Sequence, residues 1–130
     1  MSEVIIDASA LLALLLDEPG AAKIADVIAD ARMSSANYAE VVRHLIRAGV
    51  RADQVEALVG PLPLTIVEVD EALATIAERL RATTDEAGLA MGALSCLALA
   101  KRDGLPVLTA DKRWRTVADA VGVTVVVVTG

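Results

Sequence analysis

The stretch that does most to decide the fold is Val4-Ile5-Ile6-Asp7-Ala8-Ser9-Ala10-Leu11-Leu12, near the start of the chain. Its first three residues form a β-branched apolar run, which is typical of a short strand buried on both faces of a sheet. Ser9 can cap a helix, and residues 10–17 are rich in the helix formers Leu and Ala. The stretch therefore predicts a buried strand followed by a helix, with Asp7 where the strand ends.

The rest of the chain repeats this alternation of apolar strands and helices, with Asn37 and Asp70 as predicted helix caps. We predict strands over 65–69, 107–109 and 123–128, a strand or connector over 33–36, and helices over 21–31, 37–47, 52–59, 71–81, 89–102 and 112–121. Continuous apolar strands separated by helices indicate a central parallel sheet that helices cover on both faces. We expect a single α/β domain over residues 1–130.

The composition restricts the partners that this chain could have. Hydrophobic residues make up 55% of its 130 residues, which is more apolar surface than a small monomer easily buries, so we expect association with a partner or a second copy. The net charge of -6 argues against a broad basic face, and Tyr38 and Trp114 are too few aromatics for a base-stacking platform. Any contact with nucleic acid must therefore be local.

The single cysteine, Cys96, can form neither an internal disulfide nor a zinc site, which fits a cytoplasmic protein. The apolar run over residues 4–16 is interrupted by Asp7 and is too short to span a bilayer, so we expect no membrane segment and no signal peptide.

Two aspartates follow predicted strands, Asp7 directly and Asp111 one residue after Thr109. The binding crevice of an open α/β sheet lies beyond the carboxyl ends of its strands, so the two carboxylates would face each other if the strands are neighbours. The alternative for each is an ordinary cap on the helix that follows. Glu40 is a third candidate, although Asn37-x-x-Glu40 also fits a capping box. Clustered carboxylates favour Mg²⁺ or Mn²⁺, which could activate water without a histidine.

Other kinds of site find less support in the sequence. His44 has no second histidine or cysteine to pair with and is expected to be a solvated or half-buried helix residue. Ser9 lies in no nucleophile elbow and would cap a helix or bond a metal-bound water, and the glycines form no phosphate-binding loop. The densest basic tract contains Lys112, Arg113 and Arg115, which would contact phosphates beside Asp111 or simply form a solvated face.

Four segments resemble the PIN domain, and most closely the VapC-type toxins of toxin-antitoxin pairs. These segments are Val4 to Leu12, Ser35-Ala36-Asn37-Tyr38-Ala39-Glu40-Val41-Val42, Gly88-Leu89-Ala90-Met91-Gly92 with Cys96-Leu97-Ala98-Leu99-Ala100, and Gly104-Leu105-Pro106-Val107-Leu108-Thr109-Ala110-Asp111. The resemblance implies a three-layer sandwich with a parallel sheet of four to five strands. It also implies an endoribonuclease that depends on Mg²⁺ or Mn²⁺, forms a homodimer and is inhibited by a VapB-type antitoxin, through which alone it would reach DNA.

Carried over residue by residue, the resemblance makes Asp7, Glu40 and Asp111 the catalytic metal ligands, with Ser9, Asn37 and Thr109 in support. Ala93 occupies a position where members of the family usually have a further aspartate. The loss of that ligand predicts impaired activity, whether the chain is an engineered or a natural variant, unless Asp85 or Glu86 substitutes. The competing hypothesis is an inert PIN-like protein that captures an antitoxin or RNA.

Overall fold

The computed structural model describes residues 3–84 and 88–129, in which a layer of strands is covered by helices. The strands are β1 (Val4–Ile6), β2 (Ala31–Ser34), β3 (Thr65–Val67), β4 (Val107–Thr109) and β5 (Val125–Val127). The helices are α1 (Ala8–Leu15), α2 (Ala21–Val27), α3 (Ser35–Arg47), α4 (Ala52–Val59), α5 (Glu71–Thr84), α6 (Met91–Asp103) and α7 (Arg115–Val121). Short 3-10 turns, Ile28–Asp30 and Lys112–Trp114, precede β2 and α7.

The five strands form a single sheet in the order β3-β2-β1-β4-β5, and every neighbouring pair is parallel. This confirms the predicted parallel sheet. The chain adds β2 and β3 on one side of β1 and then crosses to add β4 and β5 on the other. The point where the strand order reverses therefore lies between β1 and β4, which is where open α/β sheets bind their ligands.

Each face of the sheet packs against its own set of helices, because successive side chains of a strand point to opposite faces. Ile5 of β1 belongs to a core with buried residues of α5, α6 and α7, such as Leu73, Leu97 and Val117. Val4 and Ile6 belong to a second core, formed with residues of α1, α2, α3 and α4. The prediction of an α/β sandwich with helices on both faces is confirmed.

Some predicted element ends are wrong. The helix predicted over 21–31 ends at Val27, and Ala31 already pairs with Val4 in the sheet, so that the strand over 33–36 in fact begins at Ala31 and ends at Ser34. The helix predicted to reach residue 17 ends at Leu15, since Asp17 has a left-handed φ of 53°. The first turn of the helix predicted over 112–121 is a 3-10 turn.

The remaining differences are shifts of a few residues at element ends. α5 continues to Thr84, α6 begins at Met91 and ends at Asp103, and β3 and β5 are shorter than predicted. The cap predicted at Asp70 is confirmed, because its Oδ1 accepts a hydrogen bond of 2.9 Å from the Leu73 amide. Over the described ranges, no helix has both the length and the apolar character that a membrane crossing requires.

Candidate active site

A cleft of about 570 Å³ opens beyond the carboxyl ends of β1 and β4. Its walls come from the start of α1, one face of α3, the start of α6 and the segment from Asp111 to Val117. Seven of the ten site residues predicted from the sequence line it, namely Asp7, Ser9, Asn37, Glu40, Ala93, Asp111 and Arg113. Thr109 is buried beneath the cleft, whereas Lys112 and Arg115 are exposed and lie outside its lining.

Asp7 is the most buried of the three acids, with only 4% of its surface exposed. Its Oδ1 accepts hydrogen bonds from the Ala10 amide at 2.9 Å and the Ser9 hydroxyl at 2.8 Å, and its Oδ2 accepts one from the Thr109 hydroxyl at 2.6 Å. Asp7 is thus the cap of α1, and the assignment of that cap to Ser9 is wrong. Asp7 is the single residue between the end of β1 at Ile6 and the start of α1 at Ala8, so Ser9 already lies inside the helix.

Ser9 and Thr109 tie the ends of β1 and β4 together. The Ser9 hydroxyl accepts a hydrogen bond of 3.0 Å from the Ala110 amide, while Thr109 Oγ1 accepts one of 3.0 Å from the Asp111 amide. Since Thr109 also donates to Asp7, one hydroxyl connects the segments that carry both aspartates. These contacts fit the supporting roles expected for the two hydroxyl residues.

Burial raises the pKa of Asp7 above its usual value, and the hydrogen bonds from Thr109, Ala10 and Ser9 offset part of this effect. The negative charge of Asp111 raises the pKa of Asp7 further. An ionised Asp7 is therefore an unfavourable charge in this position, and a cation in the cleft would stabilise it.

Asp111 is more exposed and is held by its neighbour Arg113. The Arg113 guanidinium donates to both carboxylate oxygens, from Nε to Oδ1 at 3.0 Å and from Nη2 to Oδ2 at 2.7 Å. This hydrogen bonding lowers the pKa of Asp111. The Arg113 amide also donates to Oδ1, so Asp111 caps the 3-10 turn as the structural alternative predicted.

Glu40 does not take part in a capping box, and that alternative is wrong. The chain passes directly from β2 into α3, so the last strand residue, Ser34, caps the helix by accepting a hydrogen bond of 3.1 Å from the Asn37 amide. Asn37 instead accepts from Ser34 through Oδ1 at 2.6 Å and donates from Nδ2 to Glu40 Oε1 at 3.2 Å. The buried Asn37 side chain thereby orients the Glu40 carboxylate at the cleft.

The Glu40 carboxylate lies directly against Gly92 in the first turn of α6. A Cβ atom placed on Gly92 would overlap it, lying only 2.6 Å from Oε2. The next residue, Ala93, is half-buried and lines the cleft, so an aspartate there would add a carboxylate to the same space. Asp85 and Glu86, which were considered as substitutes for that aspartate, lie outside the described residues.

The donor chemistry of Asp7, Glu40 and Asp111 suits a hard divalent cation, because all three offer carboxylate oxygens to one cleft. Their present arrangement does not close around an ion: across residues 3–84 and 88–129 no group of three acidic, histidine or cysteine side chains could hold a metal. Both oxygens of Asp111 are bonded to Arg113. A cation shared by the three acids would therefore compete with Arg113 for the Asp111 carboxylate.

Sequence reasoning missed the basic residues of α3 that line the cleft. Arg43, His44 and Arg47 stand three, four and seven positions after Glu40, and all are exposed. This spacing places them on the same face of the helix as Glu40. The sequence shows this spacing, but only the position of α3 beside the cleft shows that the basic residues lie near the acids. The exposure of His44 confirms its expected solvation.

The family model for the PIN domain matches residues 4–120, which is most of the chain and includes all three acids. The chain belongs to the PIN domain family. Among curated protein sequences, none matches it significantly.

Several solved structures resemble this chain over nearly its whole length. A VapBC complex bound to DNA from Salmonella typhimurium superposes with a TM-score of 0.73 at 14% identity, covering 97% of this chain and 98% of the other. A toxin-antitoxin complex from Klebsiella pneumoniae gives 0.69 at 18% identity, with coverages of 95% and 96%. VapBC-5 from Mycobacterium tuberculosis gives 0.67 at 22% identity, with coverages of 97% and 98%. At these identities the likeness establishes the shared fold.

Proposed function

We propose that this PIN domain is a metal-dependent endoribonuclease toxin of a VapBC-type pair, and that Ala93 lowers its activity. The observation that carries the proposal is the meeting of Asp7, Glu40 and Asp111 in one cleft, although they come from three separate segments of the chain. Membership of the PIN family and the toxin-antitoxin complexes among similar folds support the same function.

In this proposal Asp7 and Asp111 hold Mg²⁺ or Mn²⁺ and Glu40 does so directly or through water. The bound ion would lower the pKa of a water molecule and stabilise negative charge on the phosphate and the leaving oxygen. The chain's own residues prepare the site. Thr109 and Ser9 fix the Asp7 carboxylate, and Asn37 orients Glu40, so that little side-chain freedom is lost when the ligands act.

The proposed loss of activity follows from the position of Ala93. Its methyl group lines the cleft next to Gly92, where the Glu40 carboxylate packs. One carboxylate fewer means a weaker attraction for the divalent ion and a less defined geometry around it. The substitution Ala93→Asp would restore the charge in the first turn of α6, where an acidic side chain also interacts favourably with the helix dipole.

The test is RNA cleavage by the chain as written, by Ala93→Asp and by the neutral isostere Ala93→Asn, each with Mn²⁺ and with EDTA. We expect Ala93→Asp to cleave at least about a hundredfold faster than the other two, and EDTA to abolish the cleavage. Equal activity of the Asp and Asn variants, or cleavage that resists EDTA, would contradict the proposed role of the fourth carboxylate.

The second candidate is an inert PIN-like protein that captures an antitoxin or RNA. Ala93 itself favours this candidate. So does the Asp111–Arg113 ion pair, in which the arginine balances the negative charge of Asp111 without a metal. Calorimetric titration with Mn²⁺ separates the two functions. The nuclease predicts binding that is lost in both Asp7→Asn and Asp111→Asn, whereas the inert protein predicts no binding that depends on both residues.

The partners follow from the same proposal. We infer a cytoplasmic homodimer that binds a VapB-type antitoxin and reaches operator DNA only through it, as supported by the VapBC structure bound to DNA. Several large apolar side chains of the described residues are exposed, such as Leu16, Leu58 and Ile66, and these could contribute to such contacts. Co-purification with the product of a short neighbouring reading frame would test the assignment of an antitoxin.

A further inference from the structure

The face of α3 that leads away from the acids carries two of the three arginines that line the cleft among the described residues. Starting from Glu40, the exposed residues Arg43, His44 and Arg47 follow at one and two helical turns along the cleft wall. The opposite stripe of α3, with Val41 and Leu45, is buried in the core, so the orientation of the basic face is fixed. At 1.5 Å per residue, this face extends roughly 10 Å from the acids.

Arg43 and Arg47 line the cleft without being held in an ion pair, whereas several other arginines of this chain are paired. Arg32, Arg51, Arg102 and Arg113 each form an ion pair with an acidic side chain. Among the ion pairs of residues 3–84 and 88–129, none involves Arg43 or Arg47. In a chain of net charge -6, two such arginines side by side on a cleft wall are a local attraction for anions.

We propose that Arg43 and Arg47, with His44 between them, bind successive phosphates of a single RNA strand and guide its backbone into the acidic end of the cleft. The inference rests on the proposed nuclease function and names the residues that position its substrate. Guanidinium groups bind phosphate oxygens through two parallel hydrogen bonds, which suits a backbone contact. Trp114 lines the cleft but is only 6% exposed, and Tyr38 does not line it, so binding through α3 should not depend on base sequence.

This inference moves the phosphate contacts away from the basic tract that the sequence suggested. Lys112 and Arg115 are exposed outside the lining of the cleft, and Arg113 is already bonded to Asp111. Arg115→Ala is therefore a matched control for Arg43→Ala and Arg47→Ala, because it removes an exposed helical arginine close to the same site. Arg79→Ala, on the exposed side of α5, is a second control that lies away from the cleft.

The experiment measures binding of fluorescently labelled single-stranded RNA by the chain as written, in EDTA, over a series of salt concentrations. We expect Arg43→Ala and Arg47→Ala each to weaken binding roughly tenfold and to reduce the salt slope by about 0.7. The losses should be equal for oligouridine and oligoadenine. Arg43→Lys and Arg47→Lys should keep the parent's salt slope but lose part of the affinity, because lysine keeps the charge without the two parallel hydrogen bonds. Arg115→Ala and Arg79→Ala should bind as the parent chain does.

The proposal is overturned if RNA binding is undetectable at micromolar protein, if both α3 variants keep the parent's affinity and slope, or if Arg115→Ala loses as much affinity as they do. These outcomes are independent of the cleavage test, since no metal is present. If Ala93→Asp cuts no RNA but the α3 arginines govern binding, the proposed nuclease function fails and this inference stands. If Ala93→Asp cuts RNA and the arginines have no effect, only this inference fails.

Discussion

Asp7 is an acidic residue in a buried environment that disfavours its charged form. The carboxyl is almost fully buried, and its pKa is raised chiefly by that burial, although it also caps α1 and receives hydrogen bonds from two hydroxyls. A group of this kind destabilises the folded chain once it ionises. A residue kept under such conditions is typical of a site whose chemistry needs the charge.

Asp7→Asn should therefore stabilise the chain in the absence of metal, by roughly 0.5–2 kcal/mol, because asparagine caps a helix about as well as aspartate and carries no charge. The sign of the pH dependence follows from the raised pKa. The contribution of Asp7 to stability is fully present below its unfolded pKa of about 3.9 and is lost as the pH rises through the higher folded pKa. The advantage of Asp7→Asn should thus grow above pH 4 and then level off.

Thermal denaturation in EDTA between pH 4 and pH 8 would measure this difference, with Asp26→Asn at an exposed position of α2 as the control. An Asp7→Asn variant that melts below the parent chain at neutral pH would show that the hydrogen bonds outweigh the charge.

Arg113 competes with a metal for Asp111. It bonds both oxygens of the carboxylate, but its own side chain is 89% exposed, so solvent screens the ion pair and keeps it weak. Arg113→Ala should therefore strengthen Mn²⁺ binding by up to about fivefold, since the ion no longer has to break the pair. Calorimetry on the Ala93→Asp background would measure this change, with Arg115→Ala as the control. A weaker Mn²⁺ affinity in Arg113→Ala would instead assign Arg113 a supporting role at the site.

At the scale of elements, the site depends on how closely α3 approaches the start of α6. Glu40 of α3 packs on Gly92, and no side chain larger than hydrogen fits there without moving the carboxylate. The glycine is helical with an ordinary backbone, so its role is to leave space rather than to adopt an unusual conformation. The requirement arises from a contact between two helices and could not be read from either segment alone.

Gly92→Ala should leave the stability of the fold nearly unchanged and weaken metal binding. The displaced group is the end of a flexible side chain and alanine favours the helix, so the free energy of unfolding should stay within about 1 kcal/mol of the parent. Mn²⁺ affinity of the Ala93→Asp protein should nevertheless fall roughly tenfold or more, because Glu40 loses its position and its bond to Asn37. In a Glu40→Ala background, the same Gly92→Ala change should have no further effect on affinity. An additional loss there would place the cause elsewhere in α6.

The sequence predicted the strands and helices better than the capping residues at the junctions between them. Apolar runs such as Val4–Ile6 and Val107–Thr109 correctly predicted buried strands, and the pairing of β1 with β4 meets the condition under which the two aspartates after them would face each other. The caps were assigned less well, because Asp7, Ser9, Ser34 and Asn37 are all good capping residues and only the backbone decides which one precedes the first turn. The Asp111–Arg113 pair and the basic face of α3 depend on the folded geometry.

At the scale of the whole molecule, the proposed metal links three distant segments and should therefore affect global stability. A ligand that binds only the folded state stabilises it by about 2.7 kcal/mol at a hundred times its dissociation constant, which for a domain of this size raises the melting temperature by roughly 10 °C. Saturating Mn²⁺ should produce such a shift in Ala93→Asp and a smaller one in the chain as written, where the fourth carboxylate is missing. Part of the shift comes from relief of the unfavourable charge of Asp7.

Differential scanning fluorimetry over a Mn²⁺ series, followed by EDTA, would measure this linkage without any assay of activity. Asp7→Asn should abolish the shift in both backgrounds, since it removes the acid whose charge gains most from the ion, and EDTA should reverse the shift wherever it occurs. Identical melting temperatures with and without Mn²⁺ in Ala93→Asp would contradict a metal site at Asp7, Glu40 and Asp111. A shift of equal size with and without the fourth carboxylate would mean that three acids suffice, and that Ala93 impairs the chain less than we propose.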